Sequence, residues 1–187
     1  MKSEYRRQFI HFFFGSIIII LIWLIGSTNF LILNTAILAG GYLISLEIRK
    51  GNTNLPVINY FLDYAGRTEE KKIPGKGALT FFSGTLIASA LFYNNPILLI
   101  GSIIPLVFGD SISTVIGKLF GKTEIIKNKT LEGSTAGFLV SFFFLSFLFS
   151  YHTAVIAAFV AMAMEYLPID DNYTIPIATG FVLMLLI

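Results

Sequence analysis

The fold of this chain is decided by its first uncharged stretch, residues 8–46, which reads QFIHFFFGSIIIILIWLIGSTNFLILNTAILAGGYLISL. These 39 residues contain no Asp, Glu, Lys or Arg. A helix that crosses a bilayer needs about 20 predominantly apolar residues, so the stretch is long enough for two crossings. The cluster Gly26-Ser27-Thr28-Asn29 lies near its centre and has the composition of a turn. Residues 8–46 are therefore predicted to form a helical hairpin in a membrane.

The remainder of the sequence repeats this pattern. Uncharged runs cover 77–109, 133–164 and 172–187, and polar clusters at 93–96 and 150–153 divide the two longer ones. Only 13% of the residues are charged, whereas soluble domains average about 25%. The mean hydropathy of +0.78 agrees, so a soluble globule is excluded. The chain has no cysteine, which excludes disulfides, zinc–thiolate sites and thiol nucleophiles. We expect an all-α polytopic membrane protein with about seven transmembrane helices.

The charged residues fall in four blocks, 1–7, 47–76, 110–132 and 165–171. A hairpin returns the chain to the side it left, so all four blocks are expected on one face. They contain all 13 Lys and Arg residues, and the positive-inside rule places that face in the cytoplasm. This predicts a cytoplasmic N-terminus, a C-terminus outside, and a single integral domain over 1–187 in the cell membrane.

Two acids interrupt apolar helical patterns. Asp110 is followed by a further apolar pattern over 112–120, and Glu165 continues an apolar run. Acids at membrane depth are costly and usually functional, although a structural ion pair or a snorkelling carboxylate is the alternative. Gly101, Pro105 and Gly109 precede Asp110 and predict a kinked or broken span, where backbone groups are freed inside a cavity.

A second polar segment opens the helix predicted after residue 130. Residues 128–137 read NKTLEGSTAG, and unpaired N–H groups at a helix N-terminus bind phosphate. Lys129 adds positive charge there. Glu132 can bind Mg²⁺ through oxygen, or it can simply cap the helix. Lys76, between two glycines, is a further candidate phosphate ligand, with anionic lipid headgroups as the alternative partner.

Polar residues near the two chain ends complete the set of candidates. Glu165, Asp170, Asp171 and Asn172 form a candidate metal or ribose site, because Mg²⁺ prefers a few carboxylates plus substrate phosphates. His11 lies one helical turn after Arg7 at the start of the first span. A packed interface histidine and a base are both compatible with that position.

Motifs spread over nearly the whole chain resemble the CTP-dependent lipid-alcohol kinases: dolichol kinase, phytol kinase and the fungal CTP-using diacylglycerol kinase. In chain order these motifs are Arg7-x-x-x-His11, PGKGAL at 74–79, GDS at 109–111, the GK pairs at 117–118 and 121–122, NKTLEGS at 128–134, and DDNxxIP at 170–176. One departure is Gln8, which stands where family members often have Lys.

The resemblance implies phosphoryl transfer, with Mg²⁺, from CTP to a membrane-embedded isoprenoid alcohol of the dolichol, polyprenol or phytol type. The partners would be CTP, the lipid alcohol and membrane lipids, with no nucleic acid. The family's nucleotide-binding segment maps onto residues 110–134, on the cytoplasmic side of a catalytic domain that spans the whole chain.

The resemblance and the residue patterns together nominate three overlapping sets of site residues. The expected catalytic residues are Asp110, Lys129 and Glu132. The expected metal ligands are Asp110, Glu132, Glu165 and Asp171. The expected nucleotide-binding residues are Lys76, Ser111, Thr114, Lys118, Lys122, Thr130, Ser134 and Asn172.

Several alternatives remain open at this point. A CTP-dependent diacylglycerol kinase would use the same donor, and a phosphatidate-type cytidylyltransferase would release pyrophosphate, although its C-terminal motif is missing here. A small ion-coupled transporter could use Asp110 and Glu165 as a coupling pair. It predicts two related halves, and no convincing repeat relates 8–107 to 108–187. Neither the alcohol nor the oligomeric state follows from the sequence.

Overall fold

The computed structural model describes residues 2–51, 73–126 and 129–187. These residues are mainly helical, with one small pair of strands. The elements in chain order are α1 (Lys2–Arg49), α2 (Lys76–Leu91), α3 (Pro96–Ile104), a π-helical segment (Pro105–Asp110), α4 (Ser111–Phe120), β1 (Glu124–Ile126), β2 (Lys129–Thr130), α5 (Leu131–Leu145), α6 (Tyr151–Met164) and α7 (Asp171–Leu186).

Local sequence explains where the helices break. Gly26 divides α1 with φ 80° and ψ 162°, a conformation that glycine adopts at little cost. Asn95 caps α3 through its side chain, and Pro96 occupies the first helical position, where its missing N–H costs nothing. Ser150 caps α6 in the same way. The helices are therefore interrupted at or beside each predicted turn: by the kink at Gly26, directly before Pro96 and directly before Tyr151.

The second half of α1 pairs with α2 in antiparallel fashion. Three side-chain hydrogen bonds connect them: Ser27 Oγ donates to the Tyr93 carbonyl, Asn34 Nδ2 to Thr85 Oγ1 at 3.1 Å, and Ser45 Oγ to the Pro74 carbonyl at 2.7 Å. Residue numbers rise along one partner as they fall along the other. The first two uncharged turns thus lie at the same end of the helices.

The charged residues collect at the opposite end. Glu4 at the start of α1 forms an ion pair with Lys118 of α4, with 3.4 Å between Nζ and Oε2. Asn172 at the start of α7 donates to Thr80 of α2 at 3.1 Å. Three of the charged blocks recognised in the sequence therefore meet at one end of the described helices.

α3, the π-helical segment and α4 form one continuous helix, called the central helix below, against which the other helices pack. Every residue from Leu98 to Asp110 is buried. The Phe108 ring lies 5.1 Å from that of Phe12 in α1 and 4.2 Å from that of Phe144 in α5, between ring centroids. Two helices in the described part of the chain are long and apolar enough to cross a membrane, Glu4–Arg49 with 46 residues and Pro96–Phe120 with 25.

Glycines let the central helix and α5 touch through their backbones. A Cβ atom added to Gly133 would lie 2.6 Å from the Ser113 carbonyl oxygen, and one added to Gly137 would lie 2.8 Å from that of Gly109. Small residues allow membrane helices this approach. Between α4 and α5 the chain forms the antiparallel pair β1–β2, with Glu124 opposite Thr130.

Candidate functional site

The charged end contains a lysine surrounded by three carboxylates. Lys129 Nζ lies 3.5 Å from Asp110 Oδ1, 3.2 Å from Glu165 Oε2 and 3.1 Å from Asp171 Oδ2. These four residues are called the Lys129 cluster below. The sequence nominated Asp110 and Lys129 as catalytic residues and Asp110, Glu165 and Asp171 as metal ligands. The structure places these four side chains in one cluster.

Each member of the Lys129 cluster is held at the end of a secondary-structure element. Asp110 is the last residue of the π-helical segment, and Lys129 begins β2. Glu165 directly follows α6, and Asp171 is the first residue of α7. The backbones of the central helix and α5 are in direct contact. This contact explains how Asp110, which precedes α4, lies close to Lys129, which follows it. Four elements remote in sequence therefore position the cluster.

Burial and charge together change the acid–base properties of the cluster. Burial raises the pKa of Glu165, and the nearby charge of Asp110 raises it further, against the opposing effect of Lys129. For Lys129, burial by itself would lower the pKa, but the three carboxylates outweigh it and the pKa lies above its ordinary value. The ammonium is therefore a permanent charge at neutral pH, whereas Glu165 resists ionisation.

Hydrogen bonds orient Glu165 and leave one of its oxygens available. Ser113 Oγ donates to Glu165 Oε2 at 3.0 Å, and the same oxygen faces Lys129. Glu165 Oε1 is buried and has no hydrogen-bond partner among the described residues. A buried acceptor without a donor is unusual in a folded protein. This atom is therefore free to bind a ligand.

The donor set of the Lys129 cluster suits a hard cation. Three carboxylates face one ammonium, so the fully ionised cluster has an excess of negative charge, and oxygen is the ligand that Mg²⁺ prefers. No group of three or more His, Asp or Glu side chains in the described part of the chain is arranged to hold a metal by itself. Mg²⁺ commonly uses one or two carboxylates and takes its remaining ligands from substrate phosphates. The residues present fit that mode of binding.

Glu132 lies outside the Lys129 cluster. Its carboxylate accepts hydrogen bonds from the backbone N–H groups of Lys122 and Thr123 at 3.1–3.2 Å. It thereby connects the start of α5 to the chain that follows α4. Thr130 caps α5, its Oγ1 accepting from the Gly133 N–H at 3.2 Å. These hydrogen bonds show that the Glu132 carboxylate supports the turn, and the expected grouping of Glu132 with Asp110 and Lys129 stays a prediction.

Two other residues nominated from the sequence, Ser134 and Asn172, form hydrogen bonds that connect neighbouring helices. Ser134 Oγ accepts from the Tyr166 hydroxyl at 2.8 Å, which connects α5 to the residue after Glu165. Asn172 Nδ2 donates to Thr80 and also to Asp170 Oδ1. These side chains surround the Lys129 cluster and fix the helices that carry it.

The remaining nominated residues vary in exposure. Lys118 pairs with Glu4 at the surface, and the Lys76 and Lys122 side chains are exposed at the charged end. Thr114 is half-buried, and Ser111 Oγ is buried without a hydrogen-bond partner in the described residues.

Two features of the site differ in how far the sequence indicated them. The ion pair of Glu4 with Lys118 left no local signal, because nothing in the spacing of the two residues connects them. The π-helical turn before Asp110 did leave a signal, since Pro105 and Gly109 predicted an irregular helix there. The helix continues through this turn instead of breaking, and π-helical insertions often occur at functional sites.

The structure thus consists of apolar helices with a buried cluster of one lysine and three carboxylates at their charged end. This combination is typical of a helical membrane protein with a polar site. The chain belongs to the same family as an uncharacterized protein of Methanocaldococcus jannaschii, to which it is 30% identical over 184 residues, covering 96% of this chain and 92% of that protein. It is also similar to the chloroplast phytol kinase 1 of Arabidopsis thaliana, with 33% identity over 137 residues, covering 61% of this chain and 43% of that enzyme.

The similarity to phytol kinase supports, at the level of a lipid kinase, the resemblance that the motifs suggested. No family model matches the chain, and no solved structure matches it.

Proposed function

We propose that this protein is an integral membrane kinase that transfers the terminal phosphoryl group of CTP to the hydroxyl of a membrane-embedded isoprenoid alcohol. The observation that carries the proposal is the Lys129 cluster at the charged end of the apolar helices. The partial similarity to a phytol kinase supports the reaction class. The choice of CTP rests on the family resemblance.

Phosphoryl transfer requires little covalent chemistry from a protein, and mainly positioning and charge. The alcohol oxygen bonds to the γ-phosphorus while the bond from that phosphorus to the bridging oxygen breaks, and the nucleoside diphosphate leaves. The hydroxyl proton passes to a carboxylate of the Lys129 cluster. Lys129 is a compact charge with three donors, so its ammonium can exchange a carboxylate contact for phosphate oxygens.

Mg²⁺ would be held by one or two of the Asp110, Glu165 and Asp171 carboxylates together with the phosphates of the nucleotide. When bound, this ion supplies positive charge that offsets the charge on the phosphates. Glu165 Oε1 supports this assignment, because it is a buried oxygen with no hydrogen-bond partner among the described residues and could therefore bind the ion. A metal role for Glu132 has less support, because its carboxylate already accepts from two backbone N–H groups.

We place the protein in the cell membrane as seven spans with the Lys129 cluster on the cytoplasmic side. The helices α2, α5, α6 and α7 have 16, 15, 14 and 16 residues. At about 1.5 Å per residue such helices reach roughly 21–24 Å, whereas the hydrocarbon core is about 30 Å thick. The bilayer therefore thins around them, or their polar ends enter it. Either arrangement brings the cluster close to a hydroxyl carried by a lipid.

The test is incubation of purified protein in lipid nanodiscs with Mg²⁺, CTP labelled at the γ-phosphate, and a panel of alcohols. The panel contains geranylgeraniol, phytol, a long polyprenol and diacylglycerol. We expect label in an isoprenyl monophosphate and CDP in solution. Label in phosphatidate would favour the diacylglycerol kinase, and a higher kcat/KM with ATP would remove CTP as the donor.

A parallel reaction uses CTP labelled at the α-phosphate, with phosphatidate added to the panel. A kinase leaves this label in water-soluble CDP, whereas a cytidylyltransferase transfers it to the lipid and releases pyrophosphate. No labelled lipid in either reaction, from protein shown to be folded, would contradict the proposed enzyme.

A further inference from the structure

The segment that connects α4 to α5 exposes large apolar side chains at the charged end of the molecule. Phe120, the last residue of α4, is 62% exposed, and Ile126, the last residue of β1, is 46% exposed. The full set, called the hairpin patch below, is Leu119, Phe120, Ile125, Ile126 and Leu131. A single exposed apolar residue is ordinary, but five of them within residues 119–131 form a surface that is costly to leave in water.

Hydrogen bonds hold the residues of the hairpin patch in one compact unit. The Leu131 N–H donates to the Thr123 carbonyl at 2.9 Å. Glu124 pairs with Thr130 between the two strands. The Glu132 carboxylate accepts from the Thr123 N–H at 3.2 Å. The end of α4, the strand pair and the start of α5 are therefore connected, and the patch is a defined surface.

The hairpin patch continues the exposed face of α5. Every fourth residue from Leu131 to Phe147 is exposed, and the residues two positions further along, on the opposite face, are buried. The exposed set is Leu131, Thr135, Leu139, Phe143 and Phe147, and the buried set is Gly133, Gly137, Ser141 and Leu145. Because α5 is apolar on its exposed face as well, that face suits acyl chains better than water. The patch extends this lipid-facing surface past the start of the helix.

The length of α5 gives a physical reason for such an extension. This helix has 15 residues, so it spans about 22 Å, whereas the hydrocarbon core is about 30 Å thick. The hairpin patch adds apolar surface at the end where α5 is too short. An amphipathic segment at that depth lies in the boundary between headgroups and acyl chains.

The charges beside the hairpin patch complement lipid headgroups. Residues 118–132 contain four lysines and two glutamates, and Lys122 is exposed directly after the patch residue Phe120 and Gly121. Basic residues next to the bilayer are attracted to anionic headgroups. Apolar side chains with neighbouring lysines are the composition of a segment that lies in a membrane interface.

We propose that the hairpin patch is buried in the headgroup–acyl boundary of the bilayer that surrounds the helices, with its neighbouring lysines against lipid phosphates. The inference uses the membrane placement given under the proposed function and is independent of the reaction. Lys129 begins β2, the second strand of the same unit. Anchoring the unit in the boundary therefore holds Lys129 at the depth of the lipid headgroups, where the hydroxyl of a membrane lipid lies.

The tryptophan content of the chain allows a direct test. Trp23 is the single tryptophan and is 68% exposed on α1, so the wild-type protein reports on α1. Trp23→Phe removes this signal. Phe120→Trp and Ile126→Trp, each made in the Trp23→Phe protein, report on the hairpin patch. Lys50→Trp in the same background is the control at an exposed polar position after α1. Since all four positions are exposed, the substitutions crowd no buried neighbour.

Each protein is reconstituted in vesicles of phosphatidylcholine and phosphatidylglycerol in equal parts, with or without bromine on the acyl chains close to the headgroup. Bromine quenches a tryptophan that contacts the acyl chains, and iodide on both sides of the membrane quenches one that faces water. Interfacial segments bury apolar side chains about 5–10 Å deep, so bromine should quench both patch tryptophans at least about half as strongly as Trp23. The Lys50→Trp control should respond mainly to iodide.

Quenching of both patch tryptophans by iodide and not by bromine would overturn the inference, because the patch would then face water. Protection from both quenchers would overturn it as well, since a protein surface such as a second copy of the chain would then cover the patch. Trp23 separates these results from a failure of the membrane placement, in which bromine would not quench Trp23 either. A protein with quenched patch tryptophans that transfers no phosphoryl group would lose the proposed function and keep the inference.

Discussion

The neighbours of Lys129 in the structure differ from those that its position in the sequence suggests. In the sequence it stands beside Asn128 and Thr130 at the start of a helix, where a lysine is expected to meet phosphate. In the structure it faces Asp110, Glu165 and Asp171. Its role as a phosphate ligand stays a prediction, and it now requires the ammonium to exchange partners when the nucleotide binds.

Asp110 is the cluster carboxylate whose loss should be most informative. Asp110→Asn keeps the shape of the side chain and removes its charge, so kcat is expected to fall at least about 100-fold, as for other losses of a charge stabiliser or base. The matched control is Asp170→Asn, because Asp170 caps α7 and Asn is also a good cap. The measurement is kcat from steady-state kinetics on folded protein. If Asp110→Asn retains more than about a tenth of the wild-type kcat, Asp110 does not belong to the catalytic site.

Glu165 should make the stability of the protein depend on pH. Its pKa is raised from 4.5 to about 7 by burial and by Asp110, so the folded state binds the extra proton between these values. The unfolding free energy contributed by this group is therefore present at low pH and is lost as pH rises through about 7. Thermal unfolding at pH 5 and pH 8 without divalent metal should show a loss at pH 8, smaller in Glu165→Gln. Identical shifts in the two proteins would contradict the assignment.

At the scale of elements, the backbone contact between the central helix and α5 determines the geometry of the site. Gly137 faces Gly109, the residue directly before Asp110, and Gly133 faces Ser113, three residues after it. Small residues allow two membrane helices to approach this closely. The partner of each glycine could not be predicted, because helix rotation and register depend on the whole interface.

Gly137→Ala tests this contact. Its Cβ would lie 2.8 Å from the Gly109 carbonyl oxygen and 2.6 Å from Met162 Sδ, so the helices must separate. We expect a loss of about 1–3 kcal/mol, as in other overpacked interfaces, measured by thermal unfolding in detergent. Gly40 is also inside a helix but has nothing within 4 Å of its added Cβ. Gly40→Ala should therefore be neutral or stabilising, since alanine is the better helix former. Equal effects of the two substitutions would argue against the contact.

At the scale of the whole molecule, charged ends and uncharged turns occupy opposite ends of the described helices. The hydrogen bond from Ser27 to Tyr93 joins two of the uncharged turns, and the pair of Glu4 with Lys118 joins two charged segments. This separation is what a chain with all its cations on one side of a membrane requires. The orientation in the membrane stays a prediction.

Single cysteines can test that orientation without background, because the chain has none of its own. Cysteines at Asn29, Asn95 and His152 should react with an impermeant thiol reagent added to intact cells. Cysteines at Lys50 and Ile169 should react only after the membrane is permeabilised. Labelling in the reverse sense would invert the topology, and mixed labelling among the first three positions would rule out seven spans.

The sequence by itself determined that the chain is helical and apolar, where its helices break, and that its charges gather at one end. These properties follow from local composition, because a turn cluster or an uncharged run acts on its own segment. Only the tertiary structure decided that Lys129 meets three carboxylates and that Glu132 supports a turn. Such contacts join residues remote in the chain, and they depend on how each helix is rotated and how closely its glycines allow a neighbour to approach.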